Sequence, residues 1–447
     1  MSVSPARLAA FRILLRVLKE KSYASELLHS HLADSLGEKD LRLATELVFG
    51  VLRQQLLLDE VLTRHSNRAP QRLDPEVLLA LRLAAYQILF LDRVPARAAL
   101  HESVELVKSA GLRSAAGYVN AVLRKVSLND GKLIRETFTA DSEAGLAVQY
   151  SHPKWLVQRW LLRFGQERTI RMLETNNESP KIYFRINAPE LSAELLASEL
   201  SQLAVGFKCH RLSEDIFEVI RGNIYQTSLF REHRIVIQDA GSQLISHLLE
   251  PQPTDVCLDL CAGWGGKTSQ IAALKQSPRM IVAADLRWHR LQVARRLHAH
   301  WKSIAWVACD GTQQLPFSRQ FDRILVDAPC SGTGTLQRHP EIRWRLRPEQ
   351  ITELALLQLS LLESAFRELK LGGRVVYSTC SLEEEENQEI VNKFLDKHPE
   401  AGLVLPAAAW LQRLFDERRF FELFPPDTGS DGFFAVVLEK HSETRGQ

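Results

Sequence analysis

The sequence predicts a mixed α/β chain: an all-α N-terminal domain, a small α+β linker subdomain and a doubly wound α/β domain. Two patterns carry that prediction. Residues 1–126 repeat apolar positions at helical spacing and show no strand-like alternation. From Val256 onward, short apolar runs alternate with helical patterns, the rhythm of a parallel sheet with helices on both faces. A chain of 447 residues has room for two to four domains. The expected boundaries are 1–126, a linker at 127–150, a subdomain at 151–230 and the doubly wound domain at 231–440.

Residues 5–20 read as an amphipathic helix with Leu8, Phe11, Leu15 and Leu18 on one face. Arg12, Arg16 and Lys19 interrupt any signal-peptide core. Helical spacing recurs at 41–57, 75–91 and 98–108, breaks at Gly111 and resumes at 116–126. The most apolar stretch, 78–91, is too short for a membrane span and carries Arg82. Asn129-Asp130-Gly131 marks the linker. Residues 153–164 read as a helix whose Trp155 and Trp160 belong to a core, and 181–186 and 217–220 read as strands. The doubly wound domain gives strands at 256–260, 280–284, 305–308, 323–326 and 374–377. Helices at 267–274, 287–300 and 348–369 lie between them. Leu423-Phe424 and 432–438 form a closing antiparallel hairpin.

Hydrophobic residues make up 45% and charged residues 25%, which excludes a disordered, collagen-like or disulfide-stapled chain. Lys+Arg 56 against Asp+Glu 54 gives a net charge of +2, so nucleic-acid binding needs a local basic surface. Six cysteines without an export signal point to reduced thiols and a cytoplasmic location.

The chemistry-bearing residues sit at strand ends. Asp259-Leu260-Cys261-Ala262-Gly263-Trp264-Gly265-Gly266-Lys267-Thr268 follows the first strand and opens a helix. Its glycines let backbone approach a ligand, and the helix N-terminus favours an anionic group. Cys261 stands where a nucleotide-phosphate loop needs glycine. Alone, the segment is equally a tight strand-to-helix turn. Asp285 ends the second strand, 19 residues after Gly266, where a ribose would find an acceptor. Cys309-Asp310 ends the third. Each aspartate alone reads as a helix N-cap; three features in register point to a cofactor with an adenosine and a second charged group.

Asp327-Ala328-Pro329-Cys330-Ser331-Gly332-Thr333-Gly334 ends the fourth strand, and Tyr377-Ser378-Thr379-Cys380-Ser381 the fifth. Each puts a cysteine on the rim where a substrate would sit, although one such cysteine alone is ordinarily a small buried residue. Cys257 and Cys261 lack the further His or Cys pair of a tetrahedral site, so no metal is expected. Arg338, His339, Arg343, Arg345 and Arg347 surround Trp344. Such a stretch suits phosphate contact and base stacking, or a solvated helix face.

These segments resemble a known family. Residues 261–267, 327–334 and 378–381 are similar to motifs I, IV and VI of the RNA cytosine-5 methyltransferases that use S-adenosylmethionine. Gln238-Asp239-Ala240-Gly241-Ser242 resembles the segment before motif I, and 338–344 fits the pattern after motif IV. The N-terminal region resembles a NusB-type RNA-binding domain, notably Val94-Pro95 with Glu102, and the run from Tyr118 to Leu123. This pairing is similar to the bacterial 16S ribosomal RNA cytosine-C5 methyltransferases, over nearly the whole chain.

The resemblance implies a Rossmann-like methyltransferase domain. It implies S-adenosyl-L-methionine held by Cys261, Ala262, Gly263, Trp264, Gly265, Gly266, Lys267, Asp285, Asp310 and Asp327. The substrate would be 16S ribosomal RNA, free or in an early assembly intermediate, met by Arg338, His339, Arg343 and Trp344. No membrane partner and a monomer are expected. Where the family usually has Ala-Pro, this chain has Gly263-Trp264, which is expected to change cofactor affinity more than cofactor identity.

The chemistry explains the residue types. Carbon 5 of cytosine is a poor nucleophile, and a thiolate adding to carbon 6 turns the ring into an enamine that can attack a methyl group. Asp327 is placed to stabilise the adduct near ring N3. A second rim group then serves loss of the carbon 5 proton. The resemblance assigns Cys380 as nucleophile and Cys330 to product release; spacing alone leaves the two open. The base must be unstacked or single-stranded. Two rivals are the same chemistry on transfer RNA or another ribosomal site, and a non-catalytic RNA-binding or antitermination factor. The NusB-like domain argues against the first, and the intact cysteine pair against the second.

Overall fold

The structure, a computed structural model, describes residues 3–28, 36–66, 68–128, 142–188 and 190–442. The chain forms two compact units: Met1–Ser179 with Leu336–Leu346, and Pro180–Thr335 with Arg347–Gln447.

In the helical unit, Pro5–Glu20, Glu38–Arg53, Gln55–His65, Pro75–Phe90, Ala96–Ser109 and Ala116–Leu128 bury one apolar core. Pro75–Phe90 is buried from Val77 through Gln87. A helix apolar all round belongs in the middle of a bundle. The pattern at 41–57 resolves into two helices that meet at Gln54. Glu102 fastens the first helix, accepting from Ser4 N (2.8 Å), Ser4 Oγ (2.6 Å) and Arg7 Nη1 (2.9 Å). The central part of the expected linker, 129–141, including Asn129-Asp130-Gly131, lies outside the described residues.

The helix expected at 153–164 is Lys154–Thr175, broken at Gly165, whose φ of 74° lies where only glycine is comfortable. Trp160 is fully buried there. The contacts divide the expected 151–230 segment. Its helix belongs to the helical unit and its strands to the second unit.

The second unit opens with a four-stranded antiparallel sheet of order β2-β3-β1-β4. Its strands are β1 (Tyr183–Ile186), β2 (Gly206–His210), β3 (Ser213–Arg221) and β4 (Ile235–Ile237). Helix Ala193–Gln202 packs on it through Leu196 and Leu200, against Phe184 and Phe217.

The larger sheet holds β5 (Val256–Asp259), β6 (Met280–Asp285), β7 (Ile304–Ala308), β8 (Phe321–Asp327), β9 (Leu369–Thr379), β10 (Ala401–Val404), β11 (Phe421–Leu423) and β12 (Phe433–Lys440). Their order is β10-β12-β9-β8-β5-β6-β7, with β11 beside β12. β7, β6, β5, β8 and β9 are parallel, while β12 runs antiparallel to β9, β10 and β11. β5 is buried at all four residues, as a central parallel strand must be. The order reverses beside β5, and at such a switch point the strand ends leave a crevice for ligands. The hairpin expected at the C-terminus is β11 with β12. β10, an edge strand, has no counterpart in the sequence reading.

No helix among the described residues is long and apolar enough to cross a membrane.

Candidate active site

The loop after β5 turns through Gly263 (φ 55°) and Gly265 (φ 79°) before helix Gly266–Ala273. A Cβ at Gly265 would lie 2.8 Å from Trp306 and 2.9 Å from His298, so the close approach requires glycine. A Cβ at Gly263 or Gly266 would meet nothing within 4 Å, so the loop faces open space on that side. Arg185 of β1 braces the helix, donating to Ser269 Oγ (2.9 Å) and Gly266 O (3.3 Å). Thr268 Oγ1 donates to Asp259 Oδ2 at 2.6 Å, and burial pushes that carboxyl up to about 7.

Asp285 closes the cradle. Its Oδ2 accepts from Gly263 N (2.9 Å) and its Oδ1 from Arg287 N (2.7 Å), which fixes the carboxylate and leaves lone pairs for a ligand hydroxyl. Cys309 N donates to Asp285 O at 3.2 Å, holding the β6 and β7 ends together. Asp310 follows, with Oδ1 accepting from Thr312 N and Oγ1, which lowers its pKa. The open face of the glycine loop beside two carboxylates fits an adenosyl cofactor with an α-amino group. Cys261 is an inert member of the loop, its thiol driven well above the ordinary range by burial and then by Asp259. Trp264 is 45% exposed, with Arg290 5.8 Å from its ring.

Across the switch point, Lys267 Nζ donates to Asp327 Oδ2 at 2.7 Å, and Ser378 Oγ to Asp327 Oδ1 at 2.9 Å. Burial opposes the Lys267 charge, but Asp327, and then Cys380, raise its pKa above the ordinary value. The Cys330 and Cys380 sulfurs lie 3.3 Å apart. The hydrogen bond to Cys380, then burial, raise the Cys330 thiol well above its ordinary value. Thus the glycine loop, both aspartate-bearing strand ends, Lys267, Asp327 and both cysteines sit at the carboxyl ends of neighbouring strands in one unit. Among the described residues, no group of three or more His, Cys, Asp or Glu side chains forms a metal site.

The basic stretch after β8 behaves differently. Leu336–Leu346 belongs to the helical unit. Arg343 is fully buried, donating to Ser151 O (3.1 Å), Asn176 O (2.9 Å) and Asn177 Oδ1 (2.9 Å). Trp344 Nε1 donates to Leu52 O at 2.7 Å, and Arg345 to the carbonyls of Val17, Lys21 and Ser22. Burial lowers His339 to about 4. As an RNA contact, Arg343 does not fit this arrangement, since its guanidinium is buried and committed to protein acceptors; His339 and Trp344 are half-buried, and Trp344 spends its N–H on Leu52 O. Arg338 is half-buried.

Sequence reasoning also passed over Glu386 and Gln358, buried beside the two cysteine loops. The serine after each cysteine is the one local sequence feature that bears on them, since both serine side chains bond Glu386.

A family model described as 16S rRNA methyltransferase RsmB/F matches residues 246–439. A NusB family model matches 4–128, and an RsmF/B-like ferredoxin-like domain 152–222. The chain is 32% identical to the probable ribosomal RNA small subunit methyltransferase B of Bacillus subtilis, over 98% of this chain and 100% of the relative. It is 32% identical to ribosomal RNA small subunit methyltransferase B of Pseudomonas putida, over 98% and 99% respectively. The solved structure of PH0851 gives a TM-score of 0.83 at 28% identity, covering 98% of this chain and 100% of that one. A methyltransferase homolog from Pyrococcus horikoshii gives 0.59 at 27%, covering 68% and 100%. With a matching family model and identity above 30% along nearly its whole length, this chain belongs to the RsmB/F family of 16S rRNA methyltransferases.

Proposed function

We propose that the chain methylates carbon 5 of a cytosine in 16S ribosomal RNA through a covalent cysteine adduct. One observation carries the reading: two cysteine sulfurs 3.3 Å apart, on the same rim as the Lys267–Asp327 ion pair. The cradle of residues 261–267, Asp285 and Asp310 would hold S-adenosylmethionine, which supplies an electrophilic methyl group when bound.

Cys380 is the attacking group. The Cys330 sulfur lies 3.3 Å from the Cys380 sulfur, where its thiol, raised well above its ordinary value, can donate to a Cys380 thiolate, while the Lys267 ammonium lies within the field of Cys380. A donor and a cation therefore face the position where thiolate charge must form. The Cys380 sulfur bonds to carbon 6, and the electron pair displaced from the carbon 5–carbon 6 double bond moves into the ring toward N3. The Lys267–Asp327 pair supplies the proton that N3 takes up, leaving carbon 5 as an enamine nucleophile. After methylation the Cys330 sulfur takes the carbon 5 proton, the double bond re-forms, the sulfur–carbon bond breaks with its electron pair returning to Cys380, and N3 returns its proton to the Lys267–Asp327 pair. Once the Cys380 sulfur is a thioether, the main cause that raised Cys330 is gone. Cys330 then gives its thiol proton to solvent and, as thiolate, serves as the base for the carbon 5 proton. The NusB-type unit contributes RNA recognition.

The test uses 16S transcript labelled with tritium at cytosine carbon 5. Each methyl transferred should release one tritium to water. Methyl transfer without tritium release overturns the carbon 5 assignment.

A further inference from the structure

We infer that Glu386 is a positioning residue that holds the Cys330 and Cys380 loops in register with each other. The inference deepens the reading above and rests on both cysteines being reacting groups.

Glu386 is completely buried, and its carboxylate takes four donors. Oε1 accepts from Ser331 N (2.8 Å) and Gln358 Nε2 (2.9 Å). Oε2 accepts from Ser331 Oγ and from Ser381 Oγ (2.5 Å). Ser331 follows Cys330, and Ser381 follows Cys380. One carboxylate oxygen thus bonds the residue next to each sulfur. Gln358 Nε2 also donates to Pro329 O (3.0 Å), on the other side of Cys330. Tyr377 fixes the base of the clamp, its hydroxyl donating to Glu386 O at 2.6 Å.

An ionised carboxylate is the side chain that can accept from four donors at once, and burying one is costly unless it is so satisfied. An apolar residue would fill the same space at no such cost, so what the carboxylate adds is a fixed position for its donors. Three of those donors belong to the cysteine loops, which come from different strands, β8 and β9, fifty residues apart in sequence. All four of its acceptor sites serve protein groups, so Glu386 acts through the cysteines and not on a substrate.

The test uses the full-length enzyme, tritiated S-adenosylmethionine and 16S transcript, read as single-turnover methyl transfer. A parallel transcript carrying 5-fluorocytosine traps the adduct, because fluorine at carbon 5 blocks release. Glu386→Ala should slow methyl transfer about 100-fold, the order expected when reacting groups shift by about 1 Å. Cofactor affinity and the KM for RNA should stay within about twofold of wild type, since neither ligand touches the clamp. Glu386→Gln should recover to within about tenfold of wild type. Its amide oxygen keeps the two N–H donors, and its amide nitrogen can donate to the two serine hydroxyls. Should Glu386→Ala not fold, Ser381→Ala cuts only the Cys380 arm and should slow trapping about tenfold.

Wild-type rates in Glu386→Ala or Ser381→Ala overturn the inference. So does a loss expressed only in KM, or a Glu386→Gln enzyme no faster than Glu386→Ala. A different result removes the underlying reading: wild-type enzyme forming no trapped adduct that Cys380→Ala abolishes.

Discussion

Replacing Arg343 separates a structural anchor from an RNA contact. Its guanidinium makes three good hydrogen bonds inside the helical unit, to Ser151 O, Asn176 O and Asn177 Oδ1. Burial, and then Arg53, lower its pKa to about 9, so it stays charged at neutral pH. Arg343→Ala leaves two buried acceptors, Ser151 O and Asn176 O, and the half-buried Asn177 Oδ1 without their donor. Hydrogen bonds to a charged group contribute about 1.5–3 kcal/mol each and do not add fully, so a loss of about 3–5 kcal/mol is expected. For a unit of this size that is roughly 6–20 °C in Tm. Arg343→Lys should lose most of the same stability, because one ammonium cannot reach acceptors in three directions as the planar fork does. The assays are thermal unfolding and the salt dependence of RNA affinity. A lost phosphate contact would reduce the slope of log affinity against log salt by about 0.7–0.9, while a lost anchor leaves it unchanged in protein that is still folded. An unchanged Tm with a shallower salt slope would refute the reasoning and return Arg343 to the RNA interface.

Gly334→Ala would place a Cβ 2.4 Å from Gly432 O and 2.8 Å from Cys380 O, backbone atoms that cannot swing aside. It should cost about 1–3 kcal/mol and slow methyl transfer about 100-fold, read by urea unfolding and single turnover. Asp285→Ala should weaken S-adenosylmethionine binding by about 1.5–3 kcal/mol, roughly ten- to a hundred-fold by calorimetry; unchanged affinity removes Asp285 from the cradle. His339, held to about 4 by burial and Arg338, binds fewer protons folded than unfolded between about pH 6.5 and 4, so stability should fall as pH drops through that window. His152, lowered by burial and Arg343, shares that limb, and His339→Gln should flatten part of it in urea midpoints measured against pH. Cys380→Ala should form no adduct with RNA, whereas Cys330→Ala should accumulate one that survives denaturing electrophoresis; the opposite pattern exchanges their roles.

What the sequence revealed, and what it hid, follows from where each residue's partners lie. β5 was legible because a central parallel strand is buried on both faces and must read as an apolar run. The rim residues were legible for the same reason: Asp285 and Asp327 end such runs. β10 was not, because it is a half-exposed edge strand whose pairing with β12 is set over nearly forty residues. The stretch after β8 shows the harder case. Arginines around a tryptophan have the same composition whether they meet phosphates or buried carbonyls. The choice is made by Ser151 and Asn176, 192 and 167 residues away from Arg343. Glu386 hides in the same way. It ends an acidic run, Glu383-Glu384-Glu385-Glu386, that looks like a solvated surface. In the short 3-10 turn there, residues three apart share a face, and that turn buries Glu383 and Glu386 while Glu384 stays exposed. The only local hint was a serine after each cysteine, and a serine hydroxyl beside a reactive thiol needs an acceptor that sequence spacing alone does not name.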